Sequence, residues 1–174
     1  MFKDNFITIC RKQSGVLPHE LAKRVVLSIP GEAGLILQTL FGTGSAIKEV
    51  LRLRAEHFDF QSRTVCLLNR KATRLVPIPT GLIAKLKRFA SGKNGFVFTK
   101  KEIHVQRAFY RSCRRLEIKP SHTIHGLRMT TARFWQSKGV ARSDIQRLLG
   151  HASSVTTDLF LEQEKKTPKV PSPI

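Results

Sequence analysis

Two histidines and an arginine lie at spacings that could place them around one phosphate group. His125 and Arg128 belong to an H-G-L-R run, and His151 ends an L-G-H run further along the chain. Residues three apart share one face of a helix, so His125 and Arg128 are expected side by side. A guanidinium and two imidazoles can together donate several hydrogen bonds to phosphate oxygens. The pattern therefore predicts a phosphate-binding site.

The residues around these two runs predict the elements that position the site. A helix is predicted over residues 123–138 and a shorter one over residues 143–149. Gly150 follows the shorter helix, where a left-handed C-cap is expected. Such a cap would direct His151 away from the helix end and towards the helix that carries H-G-L-R.

The order of these motifs resembles the C-terminal catalytic domain of the tyrosine recombinases, the phage-integrase family. In that family H-x-x-R is followed by L-G-H, and then by a tyrosine nucleophile after T-T. The resemblance implies that Arg128 and His151 grip a DNA phosphate, and that His125 supports them or shuttles a proton. Phe160 stands where the resemblance implies the tyrosine, so the nucleophile is missing from its expected place.

A further motif of the family, T-G-x-R-x-x-E-x-x-x-L, is matched over residues 43–53 by T-G-S-A-I-K-E-V-L-R-L. The resemblance implies a catalytic arginine at its fourth place, where this chain has Ala46. Lys48 would face away from that place, because two residues turn a helix by about 200°. Arg52 and Arg54 lie more than one turn further along. Taken alone, the segment is an ordinary amphipathic helix over residues 45–53.

Two β-rich runs, T-V-C-L-L and R-L-V-P-I-P, flank N-R-K-A-T and predict a hairpin between residues 63 and 79. The resemblance implies that the turn of this hairpin carries a lysine into the active site. Lys71 is the best match and Arg70 is the alternate. A solvated turn lysine remains an equally good interpretation of Lys71.

Apolar periodicity predicts further helices at residues 17–29, 31–40, 80–89 and 105–116, and F-V-F-T predicts a short strand at residues 96–99. With the resemblance, this indicates an α+β, mainly helical fold like the recombinase catalytic domain, with a small antiparallel sheet of about three strands. We expect the domain to cover residues 17–164. An N-terminal extension (residues 1–16) would precede it, and a disordered Pro- and Lys-rich tail (residues 165–174) would follow.

The charge balance points to a polyanionic partner. The chain has 31 Lys and Arg residues against 12 Asp and Glu residues, a formal net charge of +19, and such an excess favours nucleic acid. The helix predicted at residues 105–116 has a basic face suited to phosphates, although a solvated face is the usual explanation of such a pattern. Tyr110 on this helix is interpreted as a packing residue. The residues predicted to contact DNA are Arg70, Lys71, Arg107, Arg111, Arg114, Arg115 and Arg128.

Several classes of protein are disfavoured. No apolar run approaches the ~20 residues of a membrane span, and the N-terminus lacks the features of a signal peptide. Cys10, Cys66 and Cys113 fit neither a disulfide framework nor a zinc site. We expect a cytoplasmic protein of a prokaryotic-type cytosol or nucleoid, without metal, cofactor, membrane or small-molecule substrate. The expected partner is double-stranded DNA, on which a homo-oligomer is conceivable.

The resemblance also sets the hypotheses for function. The family cleaves and rejoins DNA without a metal: a tyrosine attacks the backbone phosphate while arginines, a histidine and a lysine assist. Because Ala46 and Phe160 remove one cation and the nucleophile, the leading hypothesis is a recombinase-type DNA-binding domain with cleavage absent or strongly impaired. One alternative is an active recombinase whose nucleophile is misassigned or supplied by a partner. The other is a basic module that binds RNA or an acidic protein.

Overall fold

The computed structural model describes residues 15–68, 73–118 and 122–161. Within these ranges the chain forms helices and one small sheet. The helices are α1 (His19–Leu27), α2 (Gly31–Thr43), α3 (Ile47–Leu51), α4 (Thr80–Ala90), α5 (Glu102–Arg115), α6 (Ile124–Ser137), α7 (Arg142–Leu149) and α8 (Ser154–Leu161), with a 3-10 turn at Ala55–His57. The strands are β1 (Phe58–Asp59), β2 (Thr64–Leu68) and β3 (Thr73–Pro77).

The sheet is antiparallel, with β2 between β1 and β3. Val65 is the centre of its buried face: it pairs with Phe58 on one side and with Val76 on the other. The mainly helical architecture with a three-stranded antiparallel sheet is therefore confirmed. Residues 69–72, which include Lys71 and its alternate Arg70, lie outside the described residues.

The strand predicted at residues 96–99 is wrong, and β1 is the third strand instead. Phe96 makes only an isolated bridge with Arg54. The backbone N–H of Val97 donates to the carbonyl of Leu53 (2.8 Å), and Lys93 Nζ donates to the carbonyl of Val97 (2.6 Å). Val97 and Phe98 are buried in the core. The β-forming residues of this segment therefore serve packing, and the two hydrogen bonds fix the segment without a paired strand.

Helix α2 runs through the centre of the main core. Ile36, Leu37 and Leu40 on this helix are at most 1% exposed. Two of its threonines are buried as well, and each hydroxyl donates a hydrogen bond to a backbone carbonyl of the same helix. Thr39 donates to the carbonyl of Leu35, and Thr43 donates to that of Thr39, both at 2.7 Å. The helix therefore continues three residues beyond its predicted end without leaving a buried hydroxyl unpaired.

Helix α6 joins the main core to a second, smaller one. Ile124 and Leu127 belong to the main core, whereas Ala132 packs with residues of α7 and α8 in the smaller core. The other buried members of the smaller core are Ile145, Leu149, Phe160 and Leu161. This packing brings H-G-L-R, L-G-H and Phe160 to one side of the domain.

The other predicted helices agree with α1 and α3 to α7 to within three residues at either end, whereas α8 had no predicted bounds. The largest shift at a start is that of α5, which begins at Glu102 and not at residue 105. No helix of the described ranges is long and apolar enough to cross a membrane.

Gly126, the glycine of H-G-L-R, lies directly against the chain at Gly15. A Cβ at Gly126 would lie 1.4 Å from the carbonyl oxygen of Gly15. We expect Gly126→Ala to lower the free energy of unfolding by about 1–3 kcal/mol, because one of the two segments must move. Urea denaturation followed by circular dichroism measures the change.

Gly81→Ala on α4 is the matched control, since a Cβ there meets no atom within 4 Å. Its unfolding free energy should stay the same or rise by up to about 1 kcal/mol, because alanine is the better helix former. Equal losses in the two variants would show that Gly126 does not pack on Gly15.

Candidate functional site

The structure brings His125, Arg128 and His151 together around Phe160. The Phe160 ring lies edge-on to both imidazoles, with ring centroids 4.5 Å from His151 and 5.3 Å from His125. The Cζ atom of Arg128 lies 5.9 Å from the centroid of the same ring. Phe160 itself is buried. We refer to these four residues, which the sequence predicts to surround a phosphate, as the phosphate site.

Helix α6 presents two of these side chains because its start is fixed by a side-chain cap. The hydroxyl of Thr123 accepts a hydrogen bond from the N–H of Gly126 (3.1 Å), which satisfies one of the free donors of the first turn. From this start, His125 lies on the exposed side of the helix, and Arg128 is only 8% exposed.

His151 is directed into the site by the turn at Gly150. Gly150 has φ 70° and ψ 35°, the left-handed conformation predicted for this C-cap. The imidazole Nδ1 of His151 lies 3.1 Å from the hydroxyl of the buried Thr157. A larger residue than Gly150 would be strained, and its Cβ would also lie 2.7 Å from Nη1 of Arg74.

Arg74 on β3 reaches the same place, and sequence analysis missed it. Its Nη1 and Nη2 donate to the two carboxylate oxygens of Glu49 at 2.6 and 2.9 Å. Its Nε donates to the carbonyl of Leu148 at 2.8 Å. Arg128 joins the same carboxylate more weakly, with Nη1 3.4 Å from Oε2 of Glu49, while its Nη2 donates to the carbonyl of Leu149 at 2.7 Å. We call Glu49, Arg74 and Arg128 the Glu49 cluster.

The alternation of buried and exposed residues along β3 indicates that Arg74 faces inward. Arg74 and Val76 are buried, whereas Thr73, Leu75 and Pro77 are exposed. Side chains two apart on a strand share a face, so assigning Val76 to the core also turns Arg74 inward. Leu75 is 68% exposed. A strand that buries an arginine and exposes a leucine indicates a polar partner for the arginine.

Ala46 is the N-cap residue of α3, and its backbone N–H donates to Oε2 of Glu49 (2.7 Å). Its short side chain lines a cavity of about 380 Å³ together with His125, Arg128 and Tyr110. Among the described residues that line this cavity, Arg128 is the one that carries an arginine or lysine side chain. Lys48 is exposed and is not among the lining residues.

The cluster carries one positive charge in excess at neutral pH. Burial opposes ionisation of Glu49, but the hydrogen bonds from Arg74 and Ala46 hold its pKa below the ordinary value. Burial lowers the pKa of Arg128 to about 10, so its guanidinium stays charged. Burial, and then the charge of Arg128, lowers the pKa of His151 to about 4. Two guanidinium charges therefore face one carboxylate, with His151 neutral beside them.

The predicted DNA-contacting arginines of α5 lie apart from the phosphate site. Arg107, Arg111 and Arg114 are exposed and line a groove of about 680 Å³. Lys100 and His104 line it as well, and we call these five residues the α5 groove. The last predicted arginine, Arg115, instead donates to the carbonyl of Ser28 (2.8 Å). Within the described ranges, no group of three or more His, Cys, Asp or Glu side chains could hold a metal ion.

The lowered pKa of His151 makes stability depend on pH. The unfolded chain protonates this imidazole at its ordinary value of about 6.5, whereas the folded chain resists protonation down to about 4. The stability contributed by the neutral ring is therefore complete above pH 6.5 and is lost as the pH falls towards 4. We expect His151→Gln to lose less stability than the wild type across this interval in urea denaturation.

Replacing the exposed His104 by Gln controls for the loss of one imidazole. If His104→Gln and His151→Gln flatten the pH dependence equally, His151 is not held neutral by burial and the charge of Arg128. The unfolding free energy of His151→Gln should still fall slightly towards acidic pH, because burial and the charge of Arg128 also lower the pKa of His125.

A family model and individual relatives agree with this architecture. The model of the phage integrase family matches residues 19–167. The tyrosine recombinase of Pseudothermotoga lettingae is 31% identical over 165 residues, which cover 86% of this chain and 57% of that protein. Tyrosine recombinase XerA of Pyrococcus furiosus is 28% identical over 161 residues, covering 83% of this chain and 56% of the relative. The chain thus spans little more than half the length of these curated relatives.

Solved structures share the fold at low identity. The crystal structure of XerA recombinase superposes with a TM-score of 0.76 at 22% identity, covering 86% of this chain and 61% of that one. The catalytic domain of bacteriophage HP1 integrase gives a TM-score of 0.68 at 22% identity, with 84% and 86% covered. With the family match over residues 19–167, these observations lead to one conclusion: the chain belongs to the phage integrase family.

Proposed function

We propose that this domain binds duplex DNA, holding a backbone phosphate at Arg128, and does not cleave it. The observation that carries the proposal is the position of Phe160. Its ring contacts both histidines and faces Arg128, so it stands where a nucleophile would meet the phosphate. A phenyl ring has no oxygen with which to form a covalent phosphoester.

The charge of the phosphate site supports an anionic ligand. Arg128 uses two of its five N–H donors for Glu49 and Leu149. The remaining donors and the surplus charge of the Glu49 cluster suit the non-bridging oxygens of a phosphate. His151 can add a hydrogen bond in its neutral form. Its Nδ1 is next to the hydroxyl of Thr157, so an Nε2–H tautomer would leave a donor for the ligand.

The α5 groove indicates that the ligand is a polyanion and not a small phosphate ester. Its three arginines lie on the exposed face of α5, Lys100 lies just before that helix, and the whole chain carries a net charge of +19. DNA-binding proteins gain much of their affinity from such contacts, because neutralised phosphates release counterions. The same proposal places the protein in a prokaryotic-type cytosol, where it would reach DNA.

Structures of related proteins support DNA as the partner. One is the Tn1549 transposon integrase in complex with transposon right-end DNA, with a TM-score of 0.71 over 87% of this chain. Another is XerH site-specific recombinase bound to its difH substrate, with a TM-score of 0.74 over 86%. At identities of 18% and 19%, these matches show a shared fold. That this chain also binds DNA is part of the proposal.

Two groups that the family's cleavage reaction requires are missing from their expected positions. The family motif implies a second arginine at Ala46, and losing one donor to a transition-state oxyanion costs about 10²–10³ in rate. Losing the nucleophile at Phe160 removes the covalent step itself. Lys71 could still provide a general acid, but an acid cannot replace the attacking oxygen.

A second candidate function is strand cleavage with Tyr110 as the nucleophile. Tyr110 is the sole tyrosine of the chain, and it lines the cavity beside Ala46 together with His125 and Arg128. The residue is 43% exposed. This candidate requires attack from the α5 side of the cavity rather than from the position of Phe160.

We expect the domain to bind random-sequence duplex DNA with an affinity that falls steeply as salt rises. Arg107→Gln and Arg111→Gln should each reduce the slope of log affinity against log salt by about one, because each removes one phosphate contact. Fluorescence anisotropy over a salt series measures the slope. Arg88→Gln on α4, which is exposed and outside the groove, should leave it unchanged. An affinity indifferent to salt would rule out the proposed function.

We expect the double variant Ala46→Arg, Phe160→Tyr to form SDS-resistant complexes with singly nicked duplexes, and the wild type to form none. The variant restores the nucleophile and the second guanidinium. A nick near the cleavage point lets the released strand diffuse away, so the covalent product accumulates. Capture is read by denaturing gel electrophoresis with end-labelled DNA.

The single variants divide the effect between the two positions. Ala46→Arg alone should capture nothing, and Phe160→Tyr alone should react about 10²–10³-fold more slowly than the double variant. Capture by the wild type that disappears in Tyr110→Phe would contradict the proposed function and establish the second candidate.

A further inference from the structure

The carboxylate of Glu49 is shared unequally between two arginines. Arg74 binds both of its oxygens, at 2.6 and 2.9 Å, whereas Arg128 approaches one oxygen at 3.4 Å. The two guanidiniums and the carboxylate are at most 10% exposed in their side chains. Little water can therefore screen the competition between the two guanidiniums.

We propose that Arg74 is a positioning residue, which keeps Arg128 available for a phosphate by holding Glu49 away from it. The inference rests on the proposed function, because it concerns the phosphate that Arg128 would bind. Bidentate pairing is the preferred geometry of a guanidinium with a carboxylate. Without Arg74, Glu49 would therefore pair with Arg128 and neutralise the charge that attracts the phosphate.

The surroundings of Arg74 prevent it from contacting DNA itself. Its side chain is 7% exposed, and its Nε is occupied by the carbonyl of Leu148. Gly150 lies against its guanidinium so closely that a Cβ would be 2.7 Å from Nη1. Arg74 is also absent from the lining of the cavity that contains Arg128 and Ala46. Its effect on a phosphate must therefore act through Glu49.

A structural role of Arg74 predicts different behaviour from a positioning role. If Arg74 only joins β3 to the end of α7, then any variant without its guanidinium loses the phosphate site. If it restrains Glu49, then neutralising Glu49 makes Arg74 dispensable. A glutamine at position 49 can still accept the N–H of Ala46 that Glu49 now accepts, so α3 keeps its N-terminal contact.

The test is a titration with inorganic phosphate near neutral pH, followed by the backbone amide shifts of Gly150 and His151. We expect Arg74→Met to bind phosphate about tenfold or more weakly, since truncating one member of a buried charge network leaves the other to re-pair. Arg74→Met with Glu49→Gln should recover wild-type affinity. Glu49→Gln alone should bind at least as tightly as the wild type.

Two results would overturn the proposal: undiminished binding by Arg74→Met, or no recovery in the Arg74→Met, Glu49→Gln double variant. If Arg74→Met does not fold, Arg74→Lys provides the same comparison. A lysine lacks the planar fork, so binding should weaken severalfold and recover with Glu49→Gln. Circular dichroism establishes which variants are folded.

Two further variants separate this proposal from the proposed function. Arg128→Met should abolish the phosphate response, and an unchanged response would refute phosphate binding at Arg128 whatever Arg74 does. Arg54→Met with Glu56→Gln is the matched control. It removes an exposed ion pair with a separation of 4.0 Å, and it should leave phosphate affinity unchanged.

Discussion

The carboxylate of Glu49 is the contact on which the arrangement of the site depends. It accepts hydrogen bonds from the start of its own helix at Ala46, from Arg74 on the sheet and from Arg128 on α6. The two arginines in turn hold the carbonyls at the end of α7, which a helix terminus would otherwise leave unpaired. One buried charge thus links the sheet with three helices, and removing any partner leaves a charge without compensation.

Phe160 and Ala46 disturb this framework little, because neither position contributes a polar side chain to it. Phe160 packs in the smaller core with Ile145 and Leu149, where a phenyl ring fills the same space as a phenol. Ala46 takes part through its backbone N–H, which every residue except proline provides. The residues that set the geometry are therefore distinct from the two at which the family motifs predict an arginine and a tyrosine. This separation supports the proposal of phosphate binding without cleavage.

Local patterns predicted most of the fold, whereas the Glu49 cluster needed three-dimensional information. Helices and the hairpin follow from apolar periodicity, and the turn at Gly150 follows from cap chemistry. The strand pattern of β3 alone does not single out Arg74. Its burial follows only when Arg74 is placed on the same face as Val76. Its partners are distant in sequence: Glu49 precedes it by 25 residues and Leu148 follows it by 74. The strand expected at residues 96–99 failed for a related reason, since buried β-formers do not identify a pairing partner.

The electrostatics of the site support the proposal that the domain binds an anion without cleaving DNA. A guanidinium in excess inside a protein is costly unless a counter-charge is near, and Glu49 can neutralise only one of its two arginines. Arg128 and Ala46 line the same cavity of about 380 Å³, and an anion bound there would pair with the surplus charge. Replacing a tyrosine by phenylalanine does not alter this imbalance, because a phenol is neutral at physiological pH. The proposed attraction for a phosphate therefore depends on the Glu49 cluster and not on the group at position 160.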